Sequence, residues 1–171
     1  MRMLLLMGGL FASLAHAASL PQGYLQFEDY RFTEEHQYGY GVSLWHDKSQ
    51  LRGVLFMSAA LQGDVAAGEI EVQQYNPASG YLRFRVAEGA DQGQPYYCHF
   101  DGQLTTRALS GWMRCRYDYR ARTTGASRQG AHAVRLLRSK EPMGMADQAE
   151  FDAWMVDYLR RNSAVKRFAS H

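Results

Sequence analysis

The sequence predicts an all-β fold: about eight strands in an antiparallel up-and-down barrel, followed by one C-terminal amphipathic α-helix. Three observations carry this. The stretch Tyr96 to Tyr117 folds back about Thr106 and Arg107 so that Tyr96 faces Tyr117, Cys98 faces Cys115, Phe100 faces Met113, Gly102 faces Gly111 and Leu104 faces Leu109. Successive side chains of a strand point to opposite faces, so all of these share one side. The other side carries Tyr97, His99, Asp101 and Gln103 against Arg116, Arg114, Trp112 and Ser110, and is mostly polar. A slip of one residue would mix the two sets, so the match specifies a half-buried hairpin. The second observation is that short alternating segments separated by turn residues recur along the chain. The third is a change of period, from two to helical spacing, after Asp147.

Taken in order, the chain of 171 residues opens with MRMLLLMGGLFASLAHA. A cationic Arg2, an apolar run from Met3 to Leu14 and a small-x-small Ala15-His16-Ala17 read as a secretory signal peptide over residues 1–17, cleaved near Ala17. The barrel domain is then expected over 18–140, and the helix with its tail over 141–171. No later stretch approaches the roughly 20 apolar residues of a membrane helix. These features lead us to expect a protein of the periplasm or the cell exterior. There, two cysteines favour one disulfide, and the hairpin register pairs Cys98 with Cys115. A reactive thiol would want a nearby cation, and none shares their apolar face.

Tyr24 to Thr33 is the first strand, its apolar phase changing from Leu25 and Phe27 to Tyr30 and Phe32; this predicts a bulge or bend at Glu28-Asp29. Tyr38 to His46 alternates as a second strand. Asp47-Lys48-Ser49 turns it into a third, Gln50 to Ser58, with Tyr40 expected on Leu55, Val42 on Gly53 and Leu44 on Leu51. Ala59 to Ala67 reads as a loose connection of small residues. Gly68 to Tyr75 and Tyr81 to Ala87 flank the turn Asn76-Pro77-Ala78-Ser79-Gly80. Their expected pairing sets Ile70 on Val86, Val72 on Phe84 and Glu71 on Arg85 outside. Glu88 to Pro95 is a polar loop into the Cys98–Cys115 hairpin. Tyr119 to Gly130 is a loop rich in Arg, Thr and Gly. Ala131 to Arg138 is the last strand, with Val134 and Leu136 inward. Asp147 and Glu150 form a capping-box start, and Phe151, Trp154, Met155, Tyr158 and Leu159 then form the apolar stripe of the helix. Arg160, Arg161, Lys166 and Arg167 crowd its end, as the dipole favours.

The layout of strands and helix is similar to that of the lipocalin-like, calycin-type barrels. The likeness is one of layout, because the Gly-x-Trp of lipocalins reads Gly23-Tyr24-Leu25 here. About eight strands close a barrel that is filled by side chains or holds one small ligand.

Catalytic motifs are missing: there is no Gly-x-Ser-x-Gly elbow, phosphate-cradling loop, His-Glu-x-x-His helix or Cys-x-x-Cys pair. No metal site or cofactor is assigned, and the expected function is not enzymatic. Two functional readings remain. In the first, the inward aromatics Tyr38, Tyr40, Phe84, Tyr96, Phe100 and Tyr117 wall a cavity for a small apolar or amphipathic ligand. In the second, the protein is an interaction module (an inhibitor, immunity or envelope accessory protein) acting through a basic face. Arg107 to Lys140 contains nine Lys or Arg and one acid, Asp118. Arg114, Arg116, Arg120, Arg122 and Arg128 would meet an anionic envelope component or protein. An enzymatic site around His99, Asp101, Arg114 and Arg116 is a third, weaker reading. Nucleic acid is not an expected partner of a near-neutral exported chain without a stacking motif. An outer-membrane barrel would turn Arg83, Arg85, Arg114 and Arg116 to lipid, at about 2–4 kcal/mol each near the midplane.

Overall fold

The pattern of alternation closes into a barrel. The structure is a computed structural model, describing residues 20–48, 50–61, 65–87, 96–115, 130–140 and 143–162. The expected signal peptide, the loop at 88–95 and most of the Arg-rich loop at 119–130 lie outside the described residues. Eight strands follow one another: β1 (Gly23–Phe32), β2 (His36–Asp47), β3 (Gln50–Leu61), β4 (Val65–Asn76), β5 (Tyr81–Ala87), β6 (Tyr96–Leu104), β7 (Ala108–Cys115) and β8 (His132–Arg138). Each is antiparallel to the next, and β8 returns to β1. Helix α1 (Gln148–Asn162) follows. The expected all-β barrel with one C-terminal helix is therefore what the chain forms. Among the described residues no helix is long and apolar enough to cross a membrane.

The β6–β7 register is the expected one, from Cys98↔Cys115 to Leu104↔Leu109. Cys98 and Cys115 form a disulfide across a pair whose Cα atoms are 4.1 Å apart, close to the spacing of a non-hydrogen-bonded pair. Thr105 organises the turn: its Oγ1 accepts from the N–H of Ala108 at 3.0 Å, and its own N–H donates to Ala108 O at 2.9 Å. Gly102 and Gly111 face each other on the inner side, and a Cβ on either would stand within 2.7 Å of the other's Cα. The pair therefore lets two strands approach where side chains would hold them apart.

The β4–β5 hairpin also follows expectation, with Ile70↔Val86, Glu71↔Arg85 and Val72↔Phe84. Arg85 Nε donates to Glu71 Oε2 at 2.7 Å on the outer face. Beyond Val72 the register shifts by one at Gln73, so that Gln74 meets Arg83. Asn76 Oδ1 accepts from the N–H groups of Ala78 (2.9 Å) and Ser79 (3.2 Å), the side-chain-made turn expected of this segment.

Three expectations are corrected. The β2–β3 register is displaced by two residues: Tyr40 meets Met57, Val42 meets Leu55 and Leu44 meets Gly53. A shift of two keeps every side chain on its face, so alternation cannot detect it; the turn decides. Asp47 pairs with Gln50, and Lys48 sits in the left-handed region at φ 53°. Second, β1 pairs with β2 without interruption through Glu28 and Asp29, so no bulge breaks that ladder. Third, the supposed connection from Ala59 to Ala67 is mostly strand, because β3 runs to Leu61 and β4 begins at Val65.

The last two corrections have one cause, which is that the barrel has two cores. Inside, Leu25, Phe27, Tyr40, Val42, Leu44, Leu55, Met57, Ile70, Leu82, Phe84, Val86, Phe100, Met113, Val134 and Leu136 belong to one buried cluster. Outside, Val54, Phe56, Ala67, Phe151 and Met155 form a second, flanked by Tyr24, Trp45, Val65, Trp154, Tyr158 and Leu159. Helix α1 thus lies across the outer wall of β1–β4 and does not close a mouth. Beneath it β3 is apolar on both faces, which made its end look loose, and β1 turns Tyr30 outward against the covered wall. Arg52 on β3 reaches Asp152 on α1 at 2.8 Å. Asp147 caps the helix as expected, its Oδ1 accepting from the Glu150 N–H at 2.9 Å, while Glu150 Oε2 reaches one residue beyond the cap and accepts from the Ala146 N–H at 2.7 Å.

Burial pushes the Tyr30 phenol well above its ordinary value near 10, with Tyr158 and Glu28 adding to the effect. The folded state then keeps a proton that the unfolded chain releases, so stability is complete below about pH 10 and falls as pH rises beyond it. Chemical denaturation at stepped alkaline pH should show Tyr30→Phe losing stability with a shallower slope than wild type above about pH 10. Equal slopes would mean that Tyr30 is not held neutral by burial.

Candidate functional site

The residues expected to wall a cavity are distributed as follows. Tyr40, Phe84 and Phe100 have 0–1% of their surface exposed. Phe84 and Phe100 stack with centroids 5.0 Å apart, and Tyr40 lies over His132 at 5.9 Å. A side chain without exposed surface borders no space that admits water, so these three rings are packing partners within the inner core. Tyr38, half-buried, stacks on His36 at 5.8 Å at the start of β2. Tyr96 is placed by its backbone alone, opposite Ala87, and Tyr117 lies outside the described residues. At the far end of β2, the ring of His46 is 3.0 Å from Pro21 O through Nδ1 and 2.8 Å from Lys48 O through Nε2. It ties the chain before β1 to the β2–β3 turn.

The outer wall away from α1 is built differently. Cross-strand rows run over β5, β6, β7 and β8. One row is Arg85, His99, Arg114; the next is Arg83, Asp101, Trp112, Ala133; a third is Tyr81, Gln103, Ser110, Arg135. Strand alternation places all of them outward. Asp101 Oδ2 accepts from Arg83 Nε (2.9 Å), Arg83 Nη2 (2.7 Å) and Tyr81 Oη (3.2 Å). That carboxylate is committed to Arg83. His99 lies between the guanidinium strands; burial first, then Arg114 and Arg85, hold its pKa below the ordinary value, which favours the neutral ring. An open depression of about 270 Å³ lies among Arg83, His99, Asp101, Trp112 and Arg114.

Arg114 is exposed and makes no ion pair with a described residue. Trp112 is 59% exposed. A large ring left in solvent between charged neighbours is unusual, since tryptophan is among the more buried residues on average. Sequence reading placed Trp112 on the polar face without singling it out, although an aromatic in an otherwise polar face was the available signal. Arg116, Arg120, Arg122 and Arg128 lie outside the described residues. The arrangement suits recognition of an anion. For proton transfer it offers a neutral imidazole and a carboxylate already engaged by Arg83. Among the described residues no three His, Cys, Asp or Glu side chains converge as a metal site would require.

No family model matches the chain, and no curated protein or solved structure matches it either.

Proposed function

We propose that this protein is a non-enzymatic interaction module that engages an acidic partner protein through the outer face of β5–β7 and the adjoining chain. The observation that carries the proposal is the division of labour between the two walls. A cluster of buried side chains packs the described interior, and α1 covers β1–β4. The wall left open presents Trp112 and Arg114. An aromatic ring beside a guanidinium that makes no ion pair among the described residues is the combination enriched in interface hot spots. An exported protein would meet its partner in the periplasm or outside the cell, in keeping with the leader-like residues 1–17. Arg116, Arg120, Arg122 and Arg128 follow β7 in the sequence and make this part of the chain strongly basic.

The test is a photo-crosslinking amino acid at position 112 in cells producing the protein. A single adduct of defined mass is expected, absent when the same group is placed at Lys48, at the other end of the barrel. Arg114→Glu should reduce the adduct by about tenfold or more, as loss of a charge-assisted contact near an interface centre does. Native mass spectrometry supplies the contrary outcome. A constant small-molecule increment, with no adduct at position 112, would replace this reading by a ligand carrier.

A further inference from the structure

The barrel closes by a short seam. β8 and β1 pair only at Phe27↔Arg138 and Glu28↔Leu137, with one further bond from the Ser139 N–H to Gln26 O at 2.9 Å. Every other neighbouring pair in the barrel is longer. Both strands nevertheless continue in extended form, β1 to Phe32 and β8 back to His132.

The direction of the unpaired groups follows from the bonds that are made. The Arg138 N–H donates to Arg107 O, on the side of β7, while the Ser139 N–H turns to β1. Backbone groups alternate in an antiparallel strand, so Leu137, Arg135 and Ala133 direct N–H and C=O toward β1. On β1, Thr33 bonds to His36 on the β2 side, so Phe32, Tyr30 and Glu28 face β8. Past Glu28↔Leu137 these groups have no strand partner among the described residues. The core is sealed behind them, because Tyr40 stacks on His132 at 5.9 Å and is itself fully buried.

An unpaired strand edge is a template for another strand unless it is blunted by proline, an inward charge or a covering element. No proline lies in β8 or β1, and the inward-phase charges Asp29 and Arg31 belong to β1, so β8 ahead of Leu137 carries neither a proline nor an inward Asp, Glu, Lys or Arg. Exposed apolar side chains gather around this edge instead: Phe32 at 64%, Trp112 at 59% and Leu137 at 54%. Arg135 projects among them from the outer face of β8, with Arg138 exposed at its end.

We propose that the edge of β8 left unpaired among the described residues, at Ala133 and Arg135, accepts an extended segment of the partner protein by strand addition. Acidic residues of that segment would lie beside Arg135, and apolar residues beside Leu137, Phe32 and Trp112. Main-chain bonds supply the attachment and alternate side chains the selectivity. This deepens the interaction reading above and rests on it, since Trp112 is shared.

The probe is a synthetic decapeptide of alternating Glu and Val, with a second version N-methylated on alternate amides. Amide hydrogen exchange is followed by NMR on the intact protein. The unmethylated peptide should slow exchange at Ala133 and Arg135 by about tenfold or more, and the methylated one should not. Unchanged exchange at both amides overturns the proposal, as does equal protection by the two peptides. Ala133→Pro removes one edge-facing N–H without touching the β7 ladder. If it folds and still yields the position-112 adduct at the wild-type level, while Arg114→Glu abolishes that adduct, the interaction reading stands and strand addition falls. If neither substitution alters the adduct, both fall.

Discussion

Replacing Phe151 by alanine is expected to lower stability by about 3–5 kcal/mol, the usual cost of emptying a buried aromatic site. Phe151 opens the apolar stripe of α1 and has no exposed surface. Its ring meets Tyr24 and Trp45 at 5.9 Å and Trp154 at 5.6 Å. It therefore joins the helix to β1 and β2 at once. The hole cannot be refilled cheaply, because its walls belong to strands held in the barrel ladder. The inner cluster shares no residue with this outer one, so the strands should survive while the helix loosens. Urea unfolding followed by tryptophan fluorescence reads the loss, since Trp45 and Trp154 both border the site. Far-ultraviolet dichroism should show helical signal disappearing before strand signal. A variant within about 1 kcal/mol of wild type would mean that α1 is an appendage, contrary to its docking on β1–β4.

Removing the disulfide is expected to cost about 3 kcal/mol. The bond closes a loop between residues 17 apart in sequence, and loop entropy of that length corresponds to about this much when the unfolded chain is released. Both cysteines are fully buried on the inner face, so the double change Cys98→Ala with Cys115→Ala also leaves a small void. The ladder from His99↔Arg114 to Leu104↔Leu109 remains, so the hairpin should still form. Denaturant midpoints with and without a thiol reductant measure the effect in the unmodified protein. Coincident curves would show that the crosslink adds nothing to a register already specified by side-chain pattern.

Legibility in the sequence follows a physical division. The Cys98–Cys115 hairpin was readable to the residue because its inner side chains are apolar, its outer ones polar, and its turn is short. The Asn76–Gly80 hairpin was readable for the same reason, up to the bulge at Gln73. The β2–β3 pair misled because several registers satisfy the same alternation. The outer wall of β1–β4 misled more deeply. There, Tyr24, Trp45, Val54 and Phe56 are apolar in the outward phase because a helix far later in the chain, starting at Gln148, covers them. The near-continuous apolar run from Val54 to Met57 was the available signal of a strand buried on both sides. For the candidate site, Arg114 was named from its charge, while Trp112 became conspicuous only when its neighbours left it in solvent.

By itself the sequence determined the number and order of the strands, the turn at Asn76–Gly80, that Cys98 meets Cys115, and where the helix is capped. All of these are set by contacts between residues near one another in the chain, where period, turn chemistry and capping act directly. Only the tertiary structure decided that α1 lies on the outer wall, that Tyr40, Phe84 and Phe100 are buried in the inner core, and that the β8–β1 seam stops at Glu28↔Leu137 among the described residues. Those outcomes join the two ends of the chain. They depend on the volume enclosed and on the twist accumulated around eight strands, and neither is encoded in the pattern of any one segment.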